Sequence, residues 1–437
     1  MSQRSIQLRP TLLPRPSRAA IRLYSAALSL VLSGLMLGAS HAQSDNTPAK
    51  PETTKPRVTL QATPKPQPKA AASQTGQRTP TQTTKRQRAS SKSKPVKAAP
   101  RSSPTARAIK KGAPVAGLLF AESTQAMDWS AQAAERLQID RDWLQKQLGQ
   151  ARRLPQVEKW VLPPSSPSAK NWAVYRARFI EPTRIQAGAR FWRSHRQALE
   201  RAEREYGVPA SLIVGIIGVE TLYGQNTGNI RVIDALATLA FHFPQAHPRA
   251  EARQAFFRAE LEQFLQLTSR SGADPQAIRG SYAGAMGLPQ FMPSSWAKFA
   301  VDFDGDGRID LFGSPTDAIG SVANYFKAFD WRPGMPTHYP VSLTPGQTNM
   351  DSLLAPDILP TFSVASFVGQ GAALSGAALQ HTGPLALIEL LNGPDAPSYV
   401  AGTENFYAIT RYNWSSYYAM AVIDLAEAVA REVQNRP

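Results

Sequence analysis

The sequence predicts a mainly α-helical (α+β) domain that carries a small strand-containing insertion and follows residues 1–115, which differ in composition. Apolar residues recur three or four positions apart over most of residues 116–437, and this is the helical period. Between about 340 and 411 the pattern changes to alternation punctuated by Gly and Pro, which indicates short strands. With 437 residues, 42% of them hydrophobic, the cysteine-free chain can bury a core that needs no disulfides.

Residues 1–42 have the order of a secretory signal peptide. Five arginines precede the apolar run "AALSLVLSGLMLGA" and "SHA" follows it, so we expect cleavage after Ala42. The alternative is an uncleaved membrane anchor, but the apolar run is shorter than the roughly 20 residues that span a bilayer. Since no cysteine is available for lipid modification, we expect a soluble chain without a membrane anchor after cleavage.

Residues 43–115 form a basic linker rich in Pro, Lys, Thr and Ser, and this composition predicts disorder. The linker holds 16 Lys or Arg against Asp45 and Glu52, a net charge of +14, and the signal segment adds +5. Since the whole chain has a net charge of +17, residues 116–437 are near −2. A charge confined to a linker without a recognition motif argues against a nucleic-acid-binding protein. Cell-envelope proteins or polyanions could bind the linker, and a solvated spacer without a partner fits the composition equally well.

The clearest helical patterns lie near the two ends of residues 116–437. "STQAMDWSAQAAERLQIDRDWLQKQLGQ" spaces Met127, Ala131 and Ala134 at helical intervals, and "FWRSHRQALERAEREYG" repeats the period until Gly207. A last helix, "SSYYAMAVIDLAEAVAREVQ", follows Asn413. Within the insertion, "LPTFSVASFVGQ" and "ENFYAITRYN" alternate as short strands do.

One carboxylate, Glu220, ends an otherwise apolar segment, "VPASLIVGIIGVETLYG". A helix over residues 209–221 places three isoleucines, at 213, 216 and 217, on the face of Glu220. Burial on that face would raise the pKa of Glu220, as a general acid that works near neutral pH requires. The alternative is a partly exposed helix end at which Glu220 pairs with Arg231.

Three glycines flank this carboxylate. Gly215 and Gly218 would let another segment approach the helix closely, because a glycine has no Cβ. Gly224 is the expected C-cap of the helix.

A second dense segment, "GSYAGAMGLPQFMPSSWAKF", spans residues 280–299. Its small residues, hydroxyls and one amide, Gln290, are too irregular for one helix and too apolar for an exposed loop. Carbohydrate sites use such backbone and amide groups to bind sugar hydroxyls and N-acetyl groups. A tightly packed structural loop is an equal alternative.

The third motif, "DFDGDGRID", is typical of a calcium-binding loop of the EF-hand type. Asp302, Asp304 and Asp306 occupy ligand positions one, three and five, Arg308 offers its carbonyl at position seven and Asp310 is at position nine. Position twelve is a glycine, so the later Asp317 could close the coordination sphere only if the loop is lengthened. Four carboxylates in nine residues favour a structural metal over an acidic turn without one.

The last cluster, "RYNWSSYY", joins the strand region to the final helix. Its aromatic and amide groups, among them Tyr412, Asn413 and Tyr418, could line a sugar cleft or form a hydrophobic junction.

Taken together, these motifs resemble the lytic murein transglycosylases of the B type, glycoside hydrolase family 103. The resemblance covers nearly all of residues 116–437 and rests on "VGIIGVET.YG", "DALATLAF", "GAMGLPQFMPSSW", the acidic loop with "DAIGSVANYF", and "RYNWSSYYAMAV". It implies a lysozyme-like helical core and a catalytic domain at 116–437. The chain departs from the family in one respect: many members are lipoproteins, whereas this chain lacks the cysteine, so we expect a soluble periplasmic form.

The resemblance also implies roles for individual residues. Glu220 matches the single catalytic acid/base of the family. The residues that match substrate-binding positions are Tyr175, Ser281, Gln290, Tyr325, Tyr412, Asn413 and Tyr418. The residues that match calcium ligands are Asp302, Asp304, Asp306, Arg308 through its carbonyl, and Asp317, with the role of Asp310 open.

The implied reaction cleaves the β-1,4 bond between N-acetylmuramic acid (MurNAc) and N-acetylglucosamine (GlcNAc) in peptidoglycan and leaves a 1,6-anhydromuramic end. One carboxylate suffices when the substrate's N-acetyl group takes the place of a nucleophile. Two alternatives stay open: a muramidase that uses water on the same fold, and a peptidoglycan-binding protein without catalysis.

Overall fold

The computed structural model describes residues 117–163 and 170–435. The expected signal peptide and basic linker lie outside these residues. In the two described ranges, no helix combines the length and the hydropathy that a bilayer span requires.

Helices account for most of the described chain. In chain order they are α1 (Thr124–Leu137), α2 (Arg141–Gly149), α3 (Pro155–Trp160), α4 (Trp172–Ala177), α5 (Pro182–Ser194), α6 (Arg196–Tyr206), α7 (Ala210–Thr221), α8 (Val232–Phe241), α9 (Ala250–Ser271), α10 (Pro293–Phe299), α11 (Pro315–Ala328), α12 (Met350–Leu354), α13 (Val364–Gly369), α14 (Glu404–Tyr412) and α15 (Ser416–Asn435). Short 3₁₀ turns occupy Phe120–Glu122 and Gly376–Gln380.

The strands form three small antiparallel sheets. They are β1 (Ile230–Arg231), β2 (Arg279–Gly280), β3 (His338–Pro340), β4 (Ser342–Leu343), β5 (Ala372–Ala373), β6 (Ala386–Asn392) and β7 (Asp395–Gly402). β7 lies between β3 and β6, β4 pairs with β5, and β1 pairs with β2. The mainly helical fold with a small strand-containing insertion is therefore confirmed.

Helix α7 lies at the centre of the core, because every residue from Leu212 to Thr221 is buried. Its apolar side chains face neighbours on all sides, and it packs against the last helix, α15, and against α5, α6 and α11. A Cβ on Gly215 would lie 2.7 Å from the Val422 carbonyl oxygen of α15. The expected close approach at Gly215 is therefore present, and α7 and α15 meet nearly backbone to backbone.

We expect Gly215→Ala to lower the free energy of unfolding by about 1–3 kcal/mol, because the methyl group would force apart two helix backbones that cannot yield separately. Urea denaturation with an unchanged m-value would measure this loss. Gly369→Ala is the matched control, since no atom lies within 4 Å of a Cβ built at this helical glycine. Equal stability of the two variants would contradict the close-approach explanation.

Two segments expected to be strands are helices instead. Residues 364–369 form α13, whose first turn is capped by Ser363, and residues 404–412 form α14, which Thr403 caps. In α14 the buried side chains Phe406, Ile409 and Tyr412 recur at helical spacing. The prediction mistook the spacing of apolar residues in these short segments for the alternation of a strand. It also overlooked the hydroxyl residue in front of each segment, which caps a helix.

Other boundaries agree with the sequence pattern. Gly207 ends α6 in the left-handed conformation, with φ of 71°. The final helix follows Asn413 as expected. The first helical segment is divided into α1 and α2, because Gln138 adopts φ of 55° and the side chain of Asp140 accepts a hydrogen bond from the Trp143 amide.

Candidate active site

Glu220 lies in the last turn of α7, at a sharp helix end. Leu222 and Tyr223 follow with φ of 50° and 58°, so Leu222 is the C-cap and the expectation that Gly224 caps the helix is wrong. Thr221 fixes this end, because its hydroxyl donates to the Leu288 carbonyl at 2.9 Å and accepts from the Gly224 amide. The end of α7 is thereby tied to the loop of residues 281–292.

The carboxyl group of Glu220 is buried, with 8% of the residue exposed. Burial raises its pKa to about 8, against a hydrogen bond from the Tyr418 hydroxyl that lowers it. That hydroxyl donates to Glu220 Oε1 at 2.6 Å, so a proton on the neutral acid resides on Oε2. The alternative pairing with Arg231 is wrong, because Arg231 binds Asp234 at 2.7 Å.

Three tyrosines, Tyr325, Tyr412 and Tyr418, cluster beside this carboxyl. The rings of Tyr412 and Tyr418 are parallel to within 12° at 6.4 Å, and Tyr325 lies 4.8 Å from Tyr412. The hydroxyl of Tyr412 donates to the Pro289 carbonyl, and that of Tyr325 donates to the Arg411 carbonyl. These contacts connect the loop of residues 281–292 with helices α11, α14 and α15 at one point.

Tyr175 of α4 also lies within the electrostatic reach of Glu220. Burial and then the Glu220 charge raise the pKa of Tyr175. The ring of Tyr175 packs against Phe179 at 5.2 Å and against Tyr417 at 5.7 Å. Burial is also the largest cause that raises the pKa of Tyr325, Tyr412 and Tyr418, so all four phenols stay neutral in the range in which Glu220 titrates.

Ser281 and Gln290 lie in the loop that Thr221 holds. The Ser281 hydroxyl oxygen accepts from two backbone amides of the loop, at residues 283 and 285, and its proton remains free to donate. Gln290 adopts φ of 50°, which is strained for a residue with a side chain. Its amide nitrogen donates to the carbonyls of Thr227 and Gly287, which leaves its side-chain carbonyl oxygen as the available polar atom.

Asn413 follows α14 and is 4% exposed. In the described part of the chain, its side-chain carbonyl oxygen is buried without a hydrogen-bond partner. A buried acceptor without a donor costs about 1–3 kcal/mol, and such an atom is often completed by a ligand or an ordered water.

The structure therefore gathers Tyr175, Tyr325, Tyr412 and Tyr418 around Glu220. Two residues missed by the sequence analysis help to position it. One is Thr221, and the other is Arg184 of α5, whose guanidinium donates to the Gly218 carbonyl inside α7. An arginine on a neighbouring helix leaves no local signal of such a contact, whereas a hydroxyl next to the catalytic candidate could have drawn attention to Thr221.

The acidic loop between α10 and α11 brings three of its aspartates together. Each of these residues, Asp302, Asp304 and Asp306, places one carboxylate oxygen within 4.8 Å of the other two. All three are exposed. Asp317 is buried and accepts from the amides of residues 303, 304 and 310, so it braces the loop from inside. The Asp310 carboxylate accepts from the amides of Phe312 and Gly313.

The donor set of this loop suits calcium. The three clustered groups offer only oxygen, which Ca²⁺ prefers, and the backbone carbonyl of Arg308 would add another oxygen. Gly305 and Gly307 take φ of 80° and 87°, as a tight loop around an ion requires. Asp310 and Asp317 do not belong to the clustered group.

Comparisons with known proteins agree with this geometry. A family model described as a transglycosylase SLT domain matches residues 121–427. Membrane-bound lytic murein transglycosylase B of Escherichia coli (strain K12) is 42% identical over 325 residues, which are 71% of this chain and 84% of that relative.

Two solved structures are similar over the same region. Lytic transglycosylase Slt35 of Escherichia coli in complex with calcium gives a TM-score of 0.63 at 40% identity, over 72% of this chain and 95% of that one. SltB3 of Pseudomonas aeruginosa in complex with NAG-NAM-pentapeptide gives 0.59 at 31% identity, over 70% and 79% of the two chains. This chain therefore belongs to the lytic murein transglycosylases, enzymes that act on peptidoglycan and have a lysozyme-like fold.

Proposed function

We propose that this enzyme cleaves the β-1,4 bond between MurNAc and GlcNAc with Glu220 as its only acid/base, and that it leaves a 1,6-anhydromuramic end. The observation that carries the proposal is one buried, protonatable carboxyl group whose pKa is not raised by any acid among residues 117–163 and 170–435. Only burial and Tyr418 set the pKa of Glu220, so no neighbouring acid contributes among the described residues.

The other buried acids of the described chain are engaged elsewhere. Asp234 pairs with Arg231, Glu260 accepts from Ser294, and Asp317 holds the acidic loop. A two-carboxylate glycosidase would place its second acid about 5–10 Å from the first. The arrangement therefore favours a mechanism in which the substrate supplies the second group.

In the first step, the Glu220 carboxylic acid donates its proton to the glycosidic oxygen as the bond to C1 of MurNAc breaks. The oxygen of the MurNAc N-acetyl group bonds to C1 and takes the developing positive charge. GlcNAc leaves with a hydroxyl group, and Glu220 is now a carboxylate. The Tyr418 hydroxyl stabilises that charge through the hydrogen bond that lowers the pKa of Glu220.

In the second step, the Glu220 carboxylate removes the proton of the C6 hydroxyl. O6 then bonds to C1, the N-acetyl oxygen is released, and the 1,6-anhydro ring closes. Glu220 regains its proton, so the enzyme returns to its initial state and no water is consumed. The buried surroundings that raise the pKa of Glu220 also exclude the competing water.

The remaining site residues are proposed to bind the sugar rings. Tyr175, which is only partly buried, offers an aromatic face and a hydroxyl, whereas Tyr325, Tyr412 and Tyr418 are buried and shape the wall of the site behind it. Asn413 and Gln290 offer carbonyl oxygens to an N-acetyl N–H or a sugar hydroxyl, and the buried, unpartnered oxygen of Asn413 supports this role. The Ser281 hydroxyl proton is available to a sugar oxygen.

We propose a calcium ion in the acidic loop, held by Asp302, Asp304, Asp306 and the Arg308 carbonyl, with Asp310 and Asp317 as further candidates. The fit of the oxygen donors and the calcium complex of Slt35 support this. The ion would neutralise clustered charge and stabilise the fold without taking part in bond cleavage. Arg201 extends this bracing, because its guanidinium lies 3.9 Å from the Phe303 ring centre and donates to the Phe303 carbonyl.

Calcium is expected to raise the melting temperature of the purified chain by several degrees over a chelated sample, because an ion that binds only the folded state stabilises it. Asp306→Asn should remove most of that shift. Asp274→Asn, an exposed acid outside the loop, should retain it. A melting curve that calcium leaves unchanged in differential scanning calorimetry would count against the site.

We propose that the chain works in the periplasm as a soluble protein after removal of residues 1–42. The basic linker of residues 43–115 is proposed as a tether that contacts cell-envelope proteins or polyanions.

Mass spectrometry of the products from purified peptidoglycan tests the proposed reaction. Anhydromuropeptides, which lack one water relative to hydrolytic products, are expected from the wild-type chain with calcium. Reducing ends would replace the proposal with a hydrolytic muramidase. Absence of any product, given folded protein that binds the glycan, would leave a binding function.

A further inference from the structure

A small cavity opens beside the predicted glycan cleft, between the strand-containing insertion and the start of α15. Its volume is about 160 Å³, which is room for about five waters at roughly 30 Å³ each. The apolar part of the lining comes from β6, with Leu387 and Ile388, and from Leu354 and Ile358. One amino-acid head group would fill this space.

Charged groups of both signs line the same cavity. Lys170, Asp357 and Glu389 all belong to the lining. Within the described residues, the side chains of Lys170 and Asp357 form no ion pair or hydrogen bond, while Glu389 accepts one hydrogen bond from Tyr399. Opposite charges that share a cavity without pairing are available to a ligand that carries both signs.

The backbone at Asp357 is unusual. Its φ of 56° lies in the left-handed region, which aspartate and asparagine adopt more readily than other residues with a side chain.

Tyr417 connects the cavity to the catalytic region. It lines the cavity, and its hydroxyl donates to the Leu391 carbonyl at 3.0 Å. Its ring packs edge-on against Tyr175, which lies within reach of the Glu220 charge, and the next residue is Tyr418. A group in the cavity is therefore one side chain away from the proposed sugar-binding surface.

We propose that this cavity binds the zwitterionic head of an amino acid in the peptide that the MurNAc residue carries, with Lys170 toward its carboxylate and Asp357 and Glu389 toward its ammonium group. The inference rests on the proposed function, because it places a glycan strand in the adjacent cleft. A free ammonium and a free carboxylate on one carbon occur where the diamino acid of the peptide has two carboxyl groups and its second amine is not cross-linked. The cavity would therefore select uncross-linked peptides.

The test compares the full chain with Lys170→Met and Asp357→Asn on two substrates. One is peptidoglycan with uncross-linked peptides, and the other is the same glycan after enzymatic removal of the peptides. Asparagine tolerates the left-handed conformation, so Asp357→Asn removes the charge and keeps the backbone. The matched controls are Lys159→Met and Asp330→Asn, the second being an exposed aspartate with φ of 60°.

Each cavity variant is expected to lose about tenfold in kcat/KM on the peptide-bearing substrate, which corresponds to loss of one hydrogen bond to a charged group. Both variants should cleave the peptide-free glycan at the wild-type rate, and both controls should behave as wild type on both substrates. Equal losses on the two substrates, or no loss on either, would overturn the proposal.

A binding experiment separates this proposal from the proposed function. Isothermal titration of the full chain with the free peptide should show binding that is lost when the amine of its diamino acid is acetylated. A free diamino acid that binds as tightly as the peptide would instead assign the cavity to a soluble amino acid. If the wild-type chain yields no anhydro product but binds the peptide, the proposed function fails and the cavity assignment stands.

Discussion

Glu220→Gln is expected to lower the rate of anhydromuropeptide formation by about 10³–10⁴-fold at pH 6, and glycan binding should be retained. General acid and base catalysis each contribute about 10²–10⁴-fold, and here one group performs both. Glutamine keeps the shape of the side chain and can still accept the Tyr418 hydrogen bond, but it cannot donate or remove the required proton. Rates from liquid chromatography and mass spectrometry would measure the loss, and a variant with more than about a tenth of wild-type activity would refute the role of Glu220.

The stability of this variant provides a control for folding. Glu220 has a pKa of about 8 in the folded chain against an ordinary value of 4.5, so between these values the unfolded chain binds fewer protons. Wild-type stability therefore falls as pH rises through this window. Glutamine does not titrate, and so the stability of the variant relative to wild type should rise by at least about 1 kcal/mol from pH 4.5 to pH 8. A pH-independent difference in urea denaturation would contradict the raised pKa.

Tyr418→Phe is the second large effect, with an expected loss of about 10–100-fold in kcat. The hydroxyl donates to Glu220 Oε1, and a hydrogen bond to a charged group contributes about 1.5–3 kcal/mol. Without it the carboxylate formed after the first step is less stable, and the acid is no longer fixed in orientation. Since this bond lowers the pKa of Glu220, its loss should also move the alkaline limb of the pH–rate profile to higher pH.

The direction of that shift distinguishes an electrostatic role from a structural one. Tyr339→Phe serves as the control, because this tyrosine packs in the separate hydrophobic cluster of the insertion. It should leave both kcat and the pH–rate profile unchanged. A Tyr418→Phe variant whose profile moved to lower pH would show that the hydroxyl does not stabilise the charged form of Glu220.

The sequence predicted the burial of Glu220 well, because the helical period alone places the three isoleucines on its face, and all of them are fully buried. It could not predict Tyr418 as the partner of Glu220, since 198 residues separate the two and no local pattern records a contact between helices. The family resemblance placed Tyr418 at the site without defining its hydrogen bond. The sugar-binding roles of Ser281, Gln290 and Asn413 stay predictions.

The errors in the insertion have a physical origin as well. In residues 404–412, the same apolar spacing fits a short strand or a short helix over a few positions, and the cap at Thr403 decides between them.

The calcium loop presents the opposite case. Its ligand spacing is local, so Asp302, Asp304 and Asp306 were found together, whereas the hydrogen bonds of Asp317 depend on how α11 folds back over the loop.

The contact between α7 and α15 bears on when the enzyme can become active during its synthesis. Tyr418 is synthesised 198 residues after Glu220, and the α15 backbone that covers Gly215 is synthesised with it. A ribosome-bound chain cannot complete this pairing, because contacts between distant segments form only after both have emerged. A polypeptide that terminates before α15 therefore lacks both the hydrogen bond to Glu220 and the backbone that packs on Gly215.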